Sequence, residues 1–535
     1  MPARVPLAPT FARSRLTLAL LLCFGFASAV PAAHAANGGD WAGVIVEGRA
    51  ALEAGDAAAA LERFRVAWTI AQETGHSEDD RIVSLTSLGL AYAALGEFEL
   101  AGDYHERSLA LRQKIYPEQS MAVATGLRNL SAVRQRQGRL AETATLLRRA
   151  LDILQAVPEA AAEERVTVGI DLASTYQGLA RYRDALRTYE SMEAEAAATS
   201  VITRINLLTG LATAHAALGD TLAAEPLLRQ ALGQAYAELA AGDATTATVL
   251  NSLAELLRST GRAQEAIPLY EEALAIRERD YGPRDPRVTP ILNNLALAEH
   301  ETGQTQAASE HIRVAFEIAT SAYGENHPAV ATVLANLADI AEGAGDLRTA
   351  LESSLAAVGI LEGQYGPSHL EVARLKNALG RRLIAVGAAE EAALQVDAAR
   401  DVLEARLGHE SPEVAEAIGN QAEVARLRAD YAGALALNGE ALAIMEKSLP
   451  GDSPEVAVLL SNRGALLKTM RRMDEAAEVY DRSLAMREAL FGPDSLRLVR
   501  TLRDYAFVLR RLRRGDEAAV LEERAARIET EATGA

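Results

Sequence analysis

Apolar and polar positions along this chain recur on a long period. Tyr281-Gly282, Tyr323-Gly324 and Tyr365-Gly366 stand 42 residues apart, and the same step reaches Leu407-Gly408 and later Phe491-Gly492. Asn251-Ser-Leu-Ala, Asn293-Asn-Leu-Ala and Ala335-Asn-Leu-Ala keep that spacing, as do Ala266, Ala308, Ala350, Ala392, Ala434, Ala476 and Ala518. The series runs backwards through Ala224, Ala185, Thr143, Ala101 and Ala60 in steps of 39 to 42. Repetition at such a period marks stacked supersecondary units rather than separate globular domains. Twelve units fill roughly residues 40–530.

Within each unit the pattern predicts two helices around a glycine turn, as at Gly261-Arg262, Gly303-Gln304 and Gly345-Asp346. A glycine just past a helix takes the left-handed conformation that closes the C-terminus. Ala254, Ala296, Ala338, Gly380, Ala422 and Gly464 sit mid-way along the first helix. A large side chain there would overpack the pair.

These residues resemble the tetratricopeptide repeat. Helix A carries a small central residue, an alanine opens helix B, and another small residue follows seven further on (Ala273, Ala315, Ala357, Ala399, Ala441). The 42-residue period and the Leu-Asn-Asn-Leu-Ala run at 292–296 look most like the kinesin-light-chain type. The resemblance implies an all-α fold, a right-handed α-solenoid of about twelve helix pairs, with helix A on the concave face and helix B on the convex one. Eight residues beyond the 34-residue repeat add about 12 Å of helix per unit, which deepens the inner surface.

The expected organisation is a signal peptide at 1–35, a more divergent array at 36–235, a regular array at 236–530 and a disordered tail at 531–535. Near 156–200 the units depart from the pattern, as in "SMEAEAAATS", and the register shortens by three residues, a bend or hinge. Trp41 and Trp68 read as packing residues of an N-terminal cap.

Composition agrees with helices: 49% of residues are hydrophobic but only 4% aromatic. The N-terminus adds a destination. Arg4, Arg13 and Arg15 precede an apolar run from Leu16 to Val30 and then Ala33-His34-Ala35, the layout of a secretory signal cut after Ala35. An uncleaved anchor is the alternative. Arg13 and Arg15 are not adjacent, against a twin-arginine signal, and Leu22 before Cys23 disfavours a lipoprotein. The expected product is periplasmic or secreted, with no membrane span after cleavage. Cys23 is the only cysteine, so the mature chain would hold no disulfide, thiol nucleophile or zinc-thiolate site. Cleavage removes three arginines and no acid, taking the formal net charge from −19 to −22. Such a chain repels polyanions, so no nucleic-acid partner is expected.

A search for chemistry finds no H-E-x-x-H, G-x-S-x-G, Walker loop or strand-borne G-x-G-x-x-G. His105-Glu106 and His300-Glu301 are isolated pairs on amphipathic helices, and Asp79-Asp80 and Glu390-Glu391 stand at helix starts, where acids favour the dipole. No enzyme, metal or cofactor is expected.

Surfaces say more. Two residues before the small packing position, a turn of about 200° points a side chain away from helix B and towards the groove. That slot holds Asn129, Asn294, Asn336, Asn420 and Asn462. An asparagine donates and accepts at once, which suits an extended peptide, though the same amides would also serve to cross-link neighbouring helices. Some tetratricopeptide modules grip a terminal carboxylate with groove lysines and asparagines, but no lysine stands three before any small position here. Arg500, Arg503 and Arg510, spaced on one face of the last helix A, offer a substitute, joined by Arg374 and Arg381 and by Arg426 and Lys468 at equivalent inner positions. A basic inner stripe in an acidic protein suggests an acidic peptide or carboxylate ligand. The other reading is a solvated cap balanced by Glu522 and Glu523. The leading expectation is an exported scaffold that binds a peptide segment of a partner protein, the alternative a sensor for a small effector.

The loop "SAYGENHPAV" at 321–330 looks like a site until its slot is compared across repeats. Eleven residues before each small position stand Ser120, Asp243, Asp285, His327, His369, Ser411, Ser453 and Ser495. Serine and aspartate are preferred N-caps, and proline follows at 286, 328, 412 and 454, where a missing N–H costs nothing. His327 is therefore expected to cap a helix.

Overall fold

The computed structural model describes residues 41–73, 75–448 and 453–533. The signal peptide expected at 1–35, with Cys23, lies outside them. The described residues contain twenty-five α-helices and no strand. The first six pairs begin with α1 (Trp41–Glu53) and α2 (Ala57–Ala71), α3 (Glu78–Ala94) and α4 (Phe98–Ile115), then α5 (Met121–Arg136) and α6 (Leu140–Ala156). Repeat 4 holds α7 (Ala162–Gly178), α8 (Tyr182–Glu190) and the short α9 (Glu193–Ala196). Then come α10 (Val201–Ala217) with α11 (Thr221–Glu238) and α12 (Ala244–Ser259) with α13 (Ala263–Tyr281).

Repeat 7 is α14 (Thr289–Glu301) and α15 (Thr305–Tyr323), followed by α16 (Pro328–Gly343) and α17 (Leu347–Tyr365). Next are α18 (Leu370–Ala385) and α19 (Ala389–Leu407), and α20 (Pro412–Leu427) and α21 (Tyr431–Ser448). The last two pairs are α22 (Pro454–Thr469) with α23 (Met473–Phe491) and α24 (Val499–Arg511) with α25 (Gly515–Thr533). The chain is an all-α solenoid of twelve helix pairs.

It divides into two compact units, residues 41–294 and 295–533 of the described chain. This corrects the boundary expected near residue 235. A change in repeat regularity does not weaken the packing between neighbouring pairs, so it need not coincide with a structural division. The tail expected at 531–535 also changes: α25 continues to Thr533.

Helix pairs close because the small position lies against a large side chain sixteen residues later. A Cβ on Gly464 would meet the Tyr480 ring at 2.8 Å, and one on Gly380 would meet Val396 Cγ2 at 2.3 Å. Gly48 and Gly89 face Phe64 and His105 in the same way. Each such side chain contributes about 1.5–3 kcal/mol on burial. Trp41 is buried in the first unit's core and its Nε1 donates to Ser84 Oγ at 2.9 Å.

All eight capping slots work as caps. Ser120 accepts from the Val123 amide and Asp243 from that of Thr245, while His327 Nδ1 takes the Ala329 amide at 3.1 Å. His369 does the same with Glu371, and both imidazoles lie 4.7 Å from the ring of the tyrosine that ends the preceding helix B, Tyr323 or Tyr365. The remaining four slots cap likewise.

Repeat 4 departs as its sequence suggests. Its helix B breaks at Ser191-Met192, and Met192 fills the space opposite Gly169. Glu163 accepts from the Ser200 amide and from the Ser200 and Thr203 hydroxyls, fastening the start of α10.

Candidate partner-binding face

The slot asparagines occupy the faces where successive A helices meet, and most are in use there. Asn294 Nδ2 donates to Asn251 Oδ1 at 3.3 Å, and Asn420 Nδ2 to Asn377 Oδ1 at 2.9 Å. In both pairs the acceptor stands three before the small position of the preceding repeat. Asn129 and Asn336 are buried. Asn462 differs: its preceding repeat offers Gly419 at the acceptor position, and its half-buried side chain makes no hydrogen bond among the described residues. Cross-linking of helices therefore takes up the amides of Asn294 and Asn420, and burial withdraws Asn129 and Asn336 from the surface.

The basic positions divide similarly. Arg374 is held by Glu371 of its own helix and by Glu413 of α20, and Arg381 pairs with Glu342 of α16 at 2.6 Å. Burial works against the charge on Arg381, yet the Glu342 hydrogen bonds and the charges of Asp339 and Glu416 outweigh it and raise its pKa. Arg382, which the sequence reading passed over, is almost fully buried and binds Asp339, Glu342 and Ser354 together. Only its place beside Arg381, on a helix otherwise apolar at that angle, hinted at this. With the Glu423–Arg426 pair, carboxylates on α16, α18 and α20 (Asp339, Glu342, Glu371, Glu413, Glu416, Glu423) exceed guanidinium groups (Arg374, Arg381, Arg382, Arg426) by two.

At the last two repeats the balance reverses. Arg510 lies against Glu522, and Arg503 against Glu529 at 2.5 Å, both carboxylates on α25. The three-residue arginine stripe expected on one groove face is thus corrected. A helix turns 100° per residue, and these two positions lie towards helix B of their own repeat. Arg500 alone stays open: its side chain is 92% exposed, with Asp504 no nearer than 3.9 Å. Lys468 of α22 reaches Asp504 at 2.5 Å. Burial, then the positive charges of Arg500 and Arg497, push the Arg487 guanidinium below its ordinary pKa.

Lys468, Arg500, Arg503, Asp504 and Glu529 line a shallow cleft of about 570 Å³ with Ala465, Leu496 and Val499. Apolar surface surrounds it. Leu496 is 57% exposed, and Val458 and Phe507 are exposed too, with Lys468 Nζ 5.6 Å from the Phe507 ring centre. Three cations against two carboxylates leave the cleft positive on a protein of formal net charge −19. Among the described residues no group of three or more His, Cys, Asp or Glu is placed to hold a metal ion, and no helix is long and apolar enough to cross a membrane.

The fold defines a class of helical-repeat protein, and the sequence names the family. Tetratricopeptide repeat profiles match residues 81–120, 122–193, 245–321, 287–362 and 455–531, together more than half of the chain. The chain belongs to the tetratricopeptide repeat family. No curated protein matches its sequence. Among solved structures it is similar to the apo form of the quorum sensor NprR from B. thuringiensis, at 14% identity and a TM-score of 0.47, covering 60% of this chain and 87% of that one. Kinesin-light-chain TPR-like repeats from Podosopora anserina match at 21% identity and a TM-score of 0.27, over 45% of this chain and 96% of that one. The APC/C hetero-tetramer Cut9-Hcn1 matches at 11% identity and a TM-score of 0.39, over 91% and 93%.

Proposed function

We propose that this protein is an exported interaction scaffold that takes a carboxylate-bearing segment of a partner protein on the A-helix face of repeats 11 and 12. The observation that carries the reading is Arg500, an open guanidinium on a positive cleft flanked by Phe507, Leu496 and Val458. A guanidinium binds a carboxylate with charge-assisted hydrogen bonds, and the apolar rim gives a neighbouring side chain something to cover. Asn462 adds an amide with both its donor and its acceptor to offer. Export rests on the N-terminal pattern of basic residues, apolar run and Ala-His-Ala.

Crosslinking and affinity capture from the extracytoplasmic compartment test the scaffold. A stoichiometric protein partner is expected, retained by the full chain and weakened at least tenfold by Arg500→Glu with helicity unchanged. Unchanged affinity rules the cleft out. The cleft volume lies within the range of small-molecule pockets, which keeps a sensor reading in view. Strong thermal stabilisation by a small metabolite, with no protein partner, would establish the sensor instead. For export, the mature N-terminus is expected at Ala36; a cytoplasmic chain starting at Met1 would overturn that part.

A further inference from the structure

The face that carries the cleft changes sign within one structural unit, at positions in strict register. On α20 three face positions hold Glu413, Glu416 and Glu423; 42 residues later, on α22, they hold Glu455, Val458 and Ala465; another 42 later, in the twelfth repeat, Arg497, Arg500 and Phe507. Acid gives way to a mixed apolar step and then to base and aromatic. The side chains around each end reinforce the trend, since carboxylates outnumber arginines across α16–α20 while Arg487 near α24 feels two further arginines. Between the two ends lies Asn462, the slot amide with no internal hydrogen bond.

We infer that the partner segment is charge-bipolar and lies in one direction only, its acidic and apolar part on Arg500 and Phe507 and a basic part on Glu413 and Glu416. The inference rests on the reading of the cleft as a carboxylate site and adds the second half of the ligand. Reversing the segment would set carboxylates against Glu416 and amines against Arg500, so charge fixes direction as well as place. Two helix-to-helix steps of about 8–10 Å separate α20 from α24, so roughly six extended residues at ~3.3 Å each join the two charged parts. Asn462 then meets the backbone in the middle of the span.

Three synthetic peptides test this against the full chain at low ionic strength by fluorescence anisotropy. The first has an acidic-apolar cluster alone, the second adds six neutral residues and two lysines on its N-terminal side, the third the same extension on its C-terminal side. One of the two extended peptides is expected to bind at least tenfold tighter than the first, the other no tighter. That gain should vanish in Glu413→Gln/Glu416→Gln, which should leave the first peptide's affinity unchanged. Equal binding of all three, equal gain at both ends, or a gain that survives the double substitution overturns the bipolar segment while leaving the carboxylate site intact. Failure of every peptide to bind overturns both.

Discussion

Asn420 donates an amide hydrogen to Asn377 across 2.9 Å, and that contact is a rung between α18 and α20 rather than a free recognition group. Truncating Asn420 to alanine leaves the buried Asn377 oxygen without its donor, at a cost of about 1–2 kcal/mol. Urea unfolding followed by circular dichroism should show the loss, whereas affinity for an acidic peptide at repeats 11 and 12 should not change. Asn462→Ala should behave oppositely, nearly neutral for stability and costly for binding.

Gly380 and Val396 form a matched pair. A methyl on Gly380 would lie 2.3 Å from Val396 Cγ2, so Gly380→Ala is expected to lose about 1–3 kcal/mol through overpacking. Adding Val396→Ala makes room and should recover part of the loss. A double-mutant cycle on unfolding midpoints measures the coupling; strict additivity would mean the two do not share that space.

Four turns hold non-glycine residues in the left-handed region, among them Arg471 at φ +60° and Arg513 at φ +62°, where most repeats use glycine. Arg471 is exposed, so Arg471→Gly should relieve strain at little other loss. A gain of about 0.5–1 kcal/mol is expected. The converse exchange, Gly345→Ala at φ +82°, should lower stability by a similar amount, and thermal melts of the pair provide the check.

His105 is buried beside Gly89, and burial followed by the charge of Arg112 pushes its pKa down from 6.5 to about 3. The folded chain therefore resists protonation while the unfolded chain accepts a proton near pH 6.5. Stability contributed by the neutral ring is full above pH 6.5 and falls as pH drops towards 3, by about 1.4 kcal/mol per pH unit. His105→Leu should flatten the urea midpoint between pH 6.5 and 4. A midpoint that keeps the same slope in the variant would place the acid sensitivity elsewhere.

Local chemistry made much of this protein legible from its residues. The period, the twelve pairs, the small positions and all eight caps depend on neighbours within one or two turns, so spacing alone located them. His327 is a clear instance, since its proline neighbour and its place in a Ser/Asp series give its role away. Ionic partners were not legible, because they come from residues far along the chain. Arg503 meets Glu529, 26 residues on, and Arg381 meets Glu342, 39 residues back. No periodicity separates an open arginine from one already satisfied by the next repeat.

Gly419 leaves Asn462 without the acceptor that Asn251 and Asn377 provide to their neighbours. One residue, three before the small position, thus decides whether the next repeat's amide is a strut or a reader. Recognition in such an array is modular to single-residue resolution: a new reading position arises by deleting an internal acceptor, without altering the residue that reads. Stability lost at that joint is returned only when a partner's backbone takes the missing place, so the joint is tightest when the protein is occupied.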